Sequence, residues 1–377
     1  MTVRLRPHVI SVRSAHQEGT GDARRVASIA AAFAIGGIDA RYSALIGPTE
    51  SLRELFRGPV GLLRLAGLVP QFLITGRPLQ VLMVHMALAR RGITCESGEL
   101  PIYVTSRVVP VNRPHPYVTD FVDSMAENAR VSAGDGNWLT RALWRMEARR
   151  FERWESAVSR DGALATAVSD EEAATIGPGV ETVVIEVDTE SGPTARKADR
   201  TVLFPGSLFY RPNDEAARWV VSELVPALVA KGWSPSQIVI AGRSPKPGLV
   251  ELCRGAGATV KANVPDLQDL MRVAGAVVVP LRLGSGVQTK VLHAYACQTP
   301  LVMTPRANRG INLSTSDKAG VVVLPRDAAS WADAIERVME CPPSADRRAE
   351  VLTDYRPARV RQRWLQLLLP LLGGVNE

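Results

Sequence analysis

The sequence predicts an α/β protein of two doubly wound parallel-sheet domains in tandem, and three observations carry that prediction. A length of 377 residues suits roughly two domains, each large enough to bury its own core. Short apolar runs rich in valine and isoleucine alternate with helical segments through most of the chain. The stretch TESGPTARKADR, residues 189–200, interrupts that alternation with glycine, proline and charge, the composition of a linker.

In the first half, Val9 to Val12 reads as a strand, Glu18 to Asp22 as a loop, and Arg24 to Ala34 as an alanine-rich helix stopped by Gly36-Gly37. A strand at Arg41 to Ile46 completes a β-loop-α-β opening. Ile102 to Val109 and Tyr117 to Val122 are strand-like, Trp138 to Ser159 is a charged amphipathic helix, and Leu164 to Val168 and Thr182 to Val187 are strands. These make a first domain over 1–188. After the linker come a strand at Val202 to Phe204, a helix from Glu215 to Lys231, a strand at Gln237 to Ala241 and a helix from Gly248 to Gly255. Strands around Val260 and at Val277 to Val279 follow, then a helix from Val287 to Cys297 and a strand at Leu301 to Thr304, giving a second domain over 201–355. A last helix runs from about Arg356 to Leu372.

Composition narrows the partners. Hydrophobic residues at 46% and charged residues at 22% exclude a disordered chain. The net charge of +7 favours anionic partners, whether nucleotide phosphates, lipid head groups or nucleic acid. Nucleic acid is set aside because aromatics are only 5% and interleave with no basic run. The four cysteines, Cys95, Cys253, Cys297 and Cys341, form no C-x-x-C pair and read as reduced thiols outside any zinc site. His8 and His85 read as structural, and His115 as a loop residue. With no signal-peptide core and no apolar run of about 20 residues, a cytoplasmic protein is expected. Arginines among leucines over Leu52 to Arg91 suit either the inner membrane surface or helices packed on the sheet with arginines outward.

The stretch with most chemistry is Val277 to Ile311, VVVPLRLGSGVQTKVLHAYACQTPLVMTPRANRGI. A buried strand ends at Pro280, the turn Gly284-Ser285-Gly286 follows, and a helix is expected from Val287. Free backbone N–H groups at a helix start form an anion site at the carboxyl edge of a parallel sheet. Ser285 would cap that helix, Lys290 would bring a mobile positive charge, and Arg282 a second. Lys290 and His293, three residues apart, share a helix face. A plain strand-turn-helix with a capping serine and a solvated lysine would read the same way.

Resemblance separates these readings. FPGSLFYRPND, IVIAGRSP, VPDLQDLMRVAGAVVVPLRLGSGVQTKVLHAYA and TPLVMTPRANRGI, in that order between Phe204 and Ile311, resemble the donor-nucleotide domain of GT-B glycosyltransferases of family 4, especially bacterial sugar transferases of exopolysaccharide loci. EGTGDARR, SRVVP and YVTDFVDSMAEN extend a weaker likeness into the first half. The resemblance implies two Rossmann-like domains facing a cleft, with the segment 356–377 crossing back onto the first. It implies transfer of a sugar from a UDP- or GDP-linked donor to a glycan, lipid-linked or small-molecule acceptor, with retention, without metal or cofactor, at the inner membrane surface or in the cytoplasm. Lys290, Arg243, Asp120 and Asp123 would be catalytic; Gly206, Ser207, Arg282, Gly284, Ser285, Gly286, Val287, Gln288, Thr289 and His293 would bind donor. His16, Gly19, Gly21, Asp22 and Arg107 would face the acceptor, although helix capping and ion pairing would equally account for Gly19, Gly21, Asp22, Arg107, Asp120 and Asp123. Family members usually carry two glutamates where this chain has Ser285 and His293. The histidine leaves open a non-catalytic GT-B homologue that serves as a binding or stabilising partner; a nucleotide-sugar epimerase or phosphorylase is a third option.

Overall fold

Two sheets of six parallel strands organise the protein, one in each of two units of a computed structural model. It describes residues 5–15, 21–46, 67–68, 70–134, 137–188, 199–284, 286–314 and 320–373. One unit is Met1–Glu186 with Pro357–Glu377, the other Val187–Arg356. The expected linker, 189–200, lies mostly outside the described residues, as does much of 52–91.

In the first unit β1 (Arg6–Arg13), α1 (Gly21–Ile35) and β2 (Arg41–Ile46) are followed by α2 (Leu79–Arg90), β3 (Glu99–Val104) and β4 (Val118–Phe121). Then come α3 (Met125–Ser132), α4 (Trp138–Asp161), β5 (Leu164–Ala167), α5 (Asp170–Ile176) and β6 (Val180–Thr182). The strand order is β2-β1-β3-β4-β5-β6. Central strands are buried on both faces because helices cover both, so side chains of β3 alternate between two cores. Tyr103 packs with Ile10, Phe121 and Phe151 on one face, and Ile102 and Val104 with Val9, Ile29 and Phe33 on the other.

The expected strand from Ile102 to Val109 is shorter than its apolar run. Pairing stops at Val104, Thr105 takes φ 82°, and Ser106–Val108 form a 3-10 turn. Val108 and Val109 stay buried by packing in the same core as Val81 and Val84 of α2, so burial alone made them look like strand. Likewise the ladder expected at Thr182 to Val187 is Val180–Thr182, while Val183, Ile185 and Val187 are buried outside it.

The second unit carries β7 (Val202–Pro205), α6 (Arg211–Trp219), α7 (Val225–Ala230), β8 (Ile238–Gly242), α8 (Pro247–Ala256), β9 (Thr259–Ala262), α9 (Leu267–Val273) and β10 (Ala276–Val279). It continues with α10 (Thr289–Ala296), β11 (Leu301–Met303), α11 (Pro305–Asn308), β12 (Val321–Val323), α12 (Ala328–Met339) and α13 (Ala345–Val351). The order is β12-β11-β10-β7-β8-β9. A π turn at Val220–Leu224 joins α6 to α7. Pro226 in the first turn of α7 has no N–H to donate, which accounts for the widened turn ahead of it.

The closing helix α14 (Pro357–Leu368) and the 3-10 turn Leu369–Leu372 belong to the first unit. Val360, Trp364, Leu368 and Leu372 join Val26, Ile29 and Phe33 of α1 in one core.

Candidate functional site

In the second sheet β7 and β10 are neighbours, and the chain leaves them toward opposite ends of the strand order. Such a switch point opens a crevice at the carboxyl edge where two loops diverge. Pro205-Gly206-Ser207 leaves β7 there, and Pro280 to Gln288 leaves β10 toward α10. Beside them, the end of β8 presses against the first loop: Gly206 N donates to Ala241 O at 2.9 Å and Leu208 N to Arg243 O at 2.9 Å. A Cβ on Gly242, at φ 154°, would lie 1.6 Å from the Gly206 carbonyl oxygen, so only glycine fits.

Two side chains converge on this edge from helices 77 residues apart in sequence. Asn213, in the first turn of α6, donates through Nδ2 to Ser207 O at 3.0 Å and accepts through Oδ1 from Lys290 Nζ at 2.5 Å. The ammonium stands 5.4 Å from the centre of the Phe204 ring, and a Cβ on Gly206 would be 3.2 Å from it. Among the described residues no carboxylate pairs with Lys290. Desolvation without a counter-charge lowers its pKa from 10.5 to about 7. Ser207 Oγ is buried there and has no hydrogen-bond partner among the described residues. A desolvated amine and an unsatisfied hydroxyl beside the first turn of α10 together suit an anionic group with several acceptor oxygens.

The remaining donor-side residues are distributed around this point. Gly284 and Gly286 take φ 122° and 67°, as the turn requires, and Arg306 Nε donates to Gly284 O at 2.7 Å. Ser285 lies outside the described residues. The helix expected from Val287 begins at Thr289, with Gln288 as an N-cap that makes no side-chain capping bond, while Val287 is buried in the approach. The expected cap by Ser285 falls outside the described residues. Arg243 and His293 are half-buried, and Arg282 is exposed.

In the first unit the switch point falls between β1 and β3. There Ser14 Oγ, Asp22 Oδ2, Thr105 Oγ1 and Arg107 Nε are buried without hydrogen-bond partners among the described residues. The positive φ of Thr105, uncommon for a β-branched residue, marks the same edge. Asp22 accepts from Arg13 Nη1 at 3.3 Å, and Gly21 lies so near Val122 that a Cβ would be 2.8 Å from it. His16 and Gly19 lie outside the described residues. Asp123 accepts from Asn128 Nδ2 at 2.6 Å and is half-buried.

Asp120 takes the ion-pairing role and not the catalytic one. It is fully buried, receiving Arg25 Nε at 2.8 Å, Arg25 Nη2 at 2.6 Å and Thr166 Oγ1 at 2.8 Å. With both oxygens engaged and no exposure, it anchors α1 to the sheet. Sequence reasoning missed Asn213, Ser14 and Thr105. It also missed Glu155, whose buried carboxylate accepts from Met125 N at 2.7 Å and Ser124 Oγ at 3.0 Å, holding the start of α3; burial pushes it up to about 7.

A separate open groove of 510 Å³ runs along α6, lined by Arg211, Arg218, Trp219 and Lys246. Asp214 accepts from Arg218 and Lys246 in it, and with Glu215 and Glu223 also in the lining, carboxylates already balance its cations.

Residues 199–341 match the family model for glycosyl transferases group 1. No sequence among curated proteins matches the chain. Similar solved structures include sucrose-phosphate synthase from Thermosynechococcus elongatus, with TM-score 0.65, 15% identity, and coverage of 97% of this chain and 99% of that one. HepE from Anabaena, solved with UDP, gives 0.57, 12%, 97% and 99%. TarM from S. aureus, solved with UDP and α-GlcNAc-glycerol, gives 0.57 and 13%; 76% of this chain is covered, which spans 58% of the length of TarM. These neighbours include GT-B glycosyltransferases, the architecture of two Rossmann-like domains that the sequence resembled. The chain has the GT-B fold, and residues 199–341 of its second unit are similar to glycosyl transferases group 1.

Proposed function

We propose that the protein is a glycosyltransferase that moves a sugar from a nucleoside diphosphate donor, bound at the Gly206–Lys290 edge of the second unit, to a glycan, glycolipid or small-molecule acceptor held by the first. The observation that carries this reading is the ammonium of Lys290, desolvated and without a carboxylate among the described residues. As the bond from the anomeric carbon to the diphosphate breaks, charge grows on the leaving phosphate oxygen. Lys290 and the first N–H groups of α10 are disposed to stabilise that charge more in the transition state than in the bound donor. The acceptor hydroxyl gives its proton to the departing phosphate and its oxygen to the anomeric carbon on the same face. Retention results, and neither a protein nucleophile nor a metal is required. UDP in the structures of HepE and TarM favours a UDP-linked donor.

Calorimetric titration with UDP and GDP tests the donor site. Micromolar binding is expected, weakened at least about 100-fold in Lys290→Ala, together with loss of transfer of the order seen when one oxyanion donor is removed, about 10²–10³ in kcat. Unchanged turnover in that variant would refute the assignment. Absence of binding to either nucleotide favours the alternative of a non-catalytic GT-B partner, to which His293 in place of a glutamate points.

For the acceptor side, Trp138, Leu139 and Leu143 are exposed on α4 among the exposed Arg141 and Arg145. That mixture suits the head-group boundary of an anionic bilayer and supports a lipid-linked acceptor. Among the described residues no helix is long and apolar enough to cross a membrane.

A further inference from the structure

At the amino end of the first sheet, opposite the edge just described, His8, Cys95 and Glu99 bring one ligand atom each within 4.8 Å of one another. His8 comes from β1, Glu99 opens β3, and Cys95 lies in the loop four residues before it. Nothing in the sugar-transfer reading uses them. His8 is fully buried and the Glu99 side chain is 7% exposed, while Cys95 is half-buried, which leaves an entry from solvent.

The partners orient the donors. His8 Nδ1 faces Glu99 Oε2 at 3.0 Å, and His8 Nε2 faces Ser43 Oγ at 2.9 Å. Arg41 Nη1 holds the other carboxylate oxygen, Glu99 Oε1, at 3.2 Å, and also Glu96 Oε1 at 2.5 Å. A ligating histidine fixed by a hydroxyl and a ligating carboxylate fixed by a guanidinium are the outer partners that pre-orient a metal site. Charge supports the same reading. With the thiol protonated and the imidazole neutral, Glu96 and Glu99 outweigh Arg41 by one negative charge. With the thiol ionised and a divalent ion present, the cluster sums to zero.

We propose that His8 Nδ1, Cys95 Sγ and Glu99 Oε2 bind one zinc-class divalent cation, which staples β1 to β3 and to the loop before it. An imidazole, a thiolate and a carboxylate are the donor set that a borderline-soft ion takes in tetrahedral geometry, with solvent as the fourth ligand. Zinc–ligand distances of about 2.0–2.3 Å set neighbouring donors about 3.5 Å apart. His8 Nδ1 and Glu99 Oε2, 3.0 Å apart at hydrogen-bond distance, part by about 0.5 Å to take the ion, while Glu96 N still donates to Oε2 at 2.8 Å. The Cys95 thiol, in a 3.9 Å contact with the Glu96 carbonyl and with its sulfur within 4.8 Å of both other donors, swings in to complete it. On binding, the thiol proton leaves to solvent, Nδ1 gives its lone pair to the metal, and the imidazole proton resides on Nε2, where it donates to Ser43 Oγ.

Chelator-stripped full-length protein is titrated with Zn2+ against a chromophoric competitor, and with Co2+ while the absorption spectrum is followed. One equivalent bound more tightly than about 1 μM, a raised melting temperature, and a thiolate-to-cobalt charge-transfer band are expected. Loss of even an outer-shell partner weakens metal binding about 10–100-fold, so Cys95→Ser weakens Zn2+ at least that much and removes the band. Cys341→Ser, at the other half-buried cysteine, leaves both unchanged. Substoichiometric or weaker binding of Zn2+ overturns the proposal, as does a wild-type cobalt spectrum without a thiolate band or equal affinity in Cys95→Ser. The cobalt spectrum of the wild type decides the matter even if a variant misfolds, and UDP titration reports separately on the donor site.

Discussion

The amine of Lys290 has an arithmetic that can be checked. Its pKa is lowered from 10.5 to about 7 by desolvation, so above about pH 7 the unliganded protein holds it neutral. A diphosphate stabilises the ammonium, and therefore binding of UDP at pH 8 is expected to take up close to one proton. Titration in buffers of different ionisation enthalpy measures that uptake, and Lys290→Met abolishes it. Between about pH 7 and 10.5 the unfolded chain binds a proton that the folded one does not, so this residue's contribution to stability rises with pH across that window and is lowest below it. Lys290 and the Gly284–Gly286 turn were legible because strand end, turn and helix start are contiguous in sequence. Asn213 was not, since its role depends on a partner 77 residues away. Asp120 was visible as an acid at a strand end, but Arg25, 95 residues distant, makes it an anchor.

At the scale of elements, the carboxyl ends of β7 and β8 are the least tolerant part of the donor edge. Gly242→Ala would drive a methyl into the Gly206 carbonyl and impose a backbone strain of about 1–3 kcal/mol. The expected outcome is faster amide exchange over 203–208 and loss of UDP affinity together; normal affinity at unchanged exchange would refute the close approach. Strands were legible in position but not in length, because Val108 and Val109 are buried by helix packing and not by a ladder. Helix α10 was read two residues long at its start because Val287 is apolar and buried, yet precedes the first helical turn. The short helices α3, α5, α9, α11 and α13 went unread, having too few turns for a period to emerge.

For the molecule as a whole, the two-sheet α/β architecture was readable from alternation alone, whereas the chain crossing between units was not a matter of pattern. Trp364, fully buried with Arg25 stacked 4.7 Å from its ring centre, ties the closing helix into the first unit. Trp364→Ala is expected to destabilise that unit by about 3–5 kcal/mol, lowering its amide protection while protection over 199–341 and UDP binding persist. Equal loss in both units would contradict the division. The same tie bears on the order of synthesis. The first unit needs residues 357–373, which follow the whole of the second in sequence, so on the ribosome the second unit has all of its sequence before the first does. The early chain must wait with the Phe33 and Ile29 face of α1 open to water, a stretch of exposure that a chaperone at the exit tunnel is suited to cover.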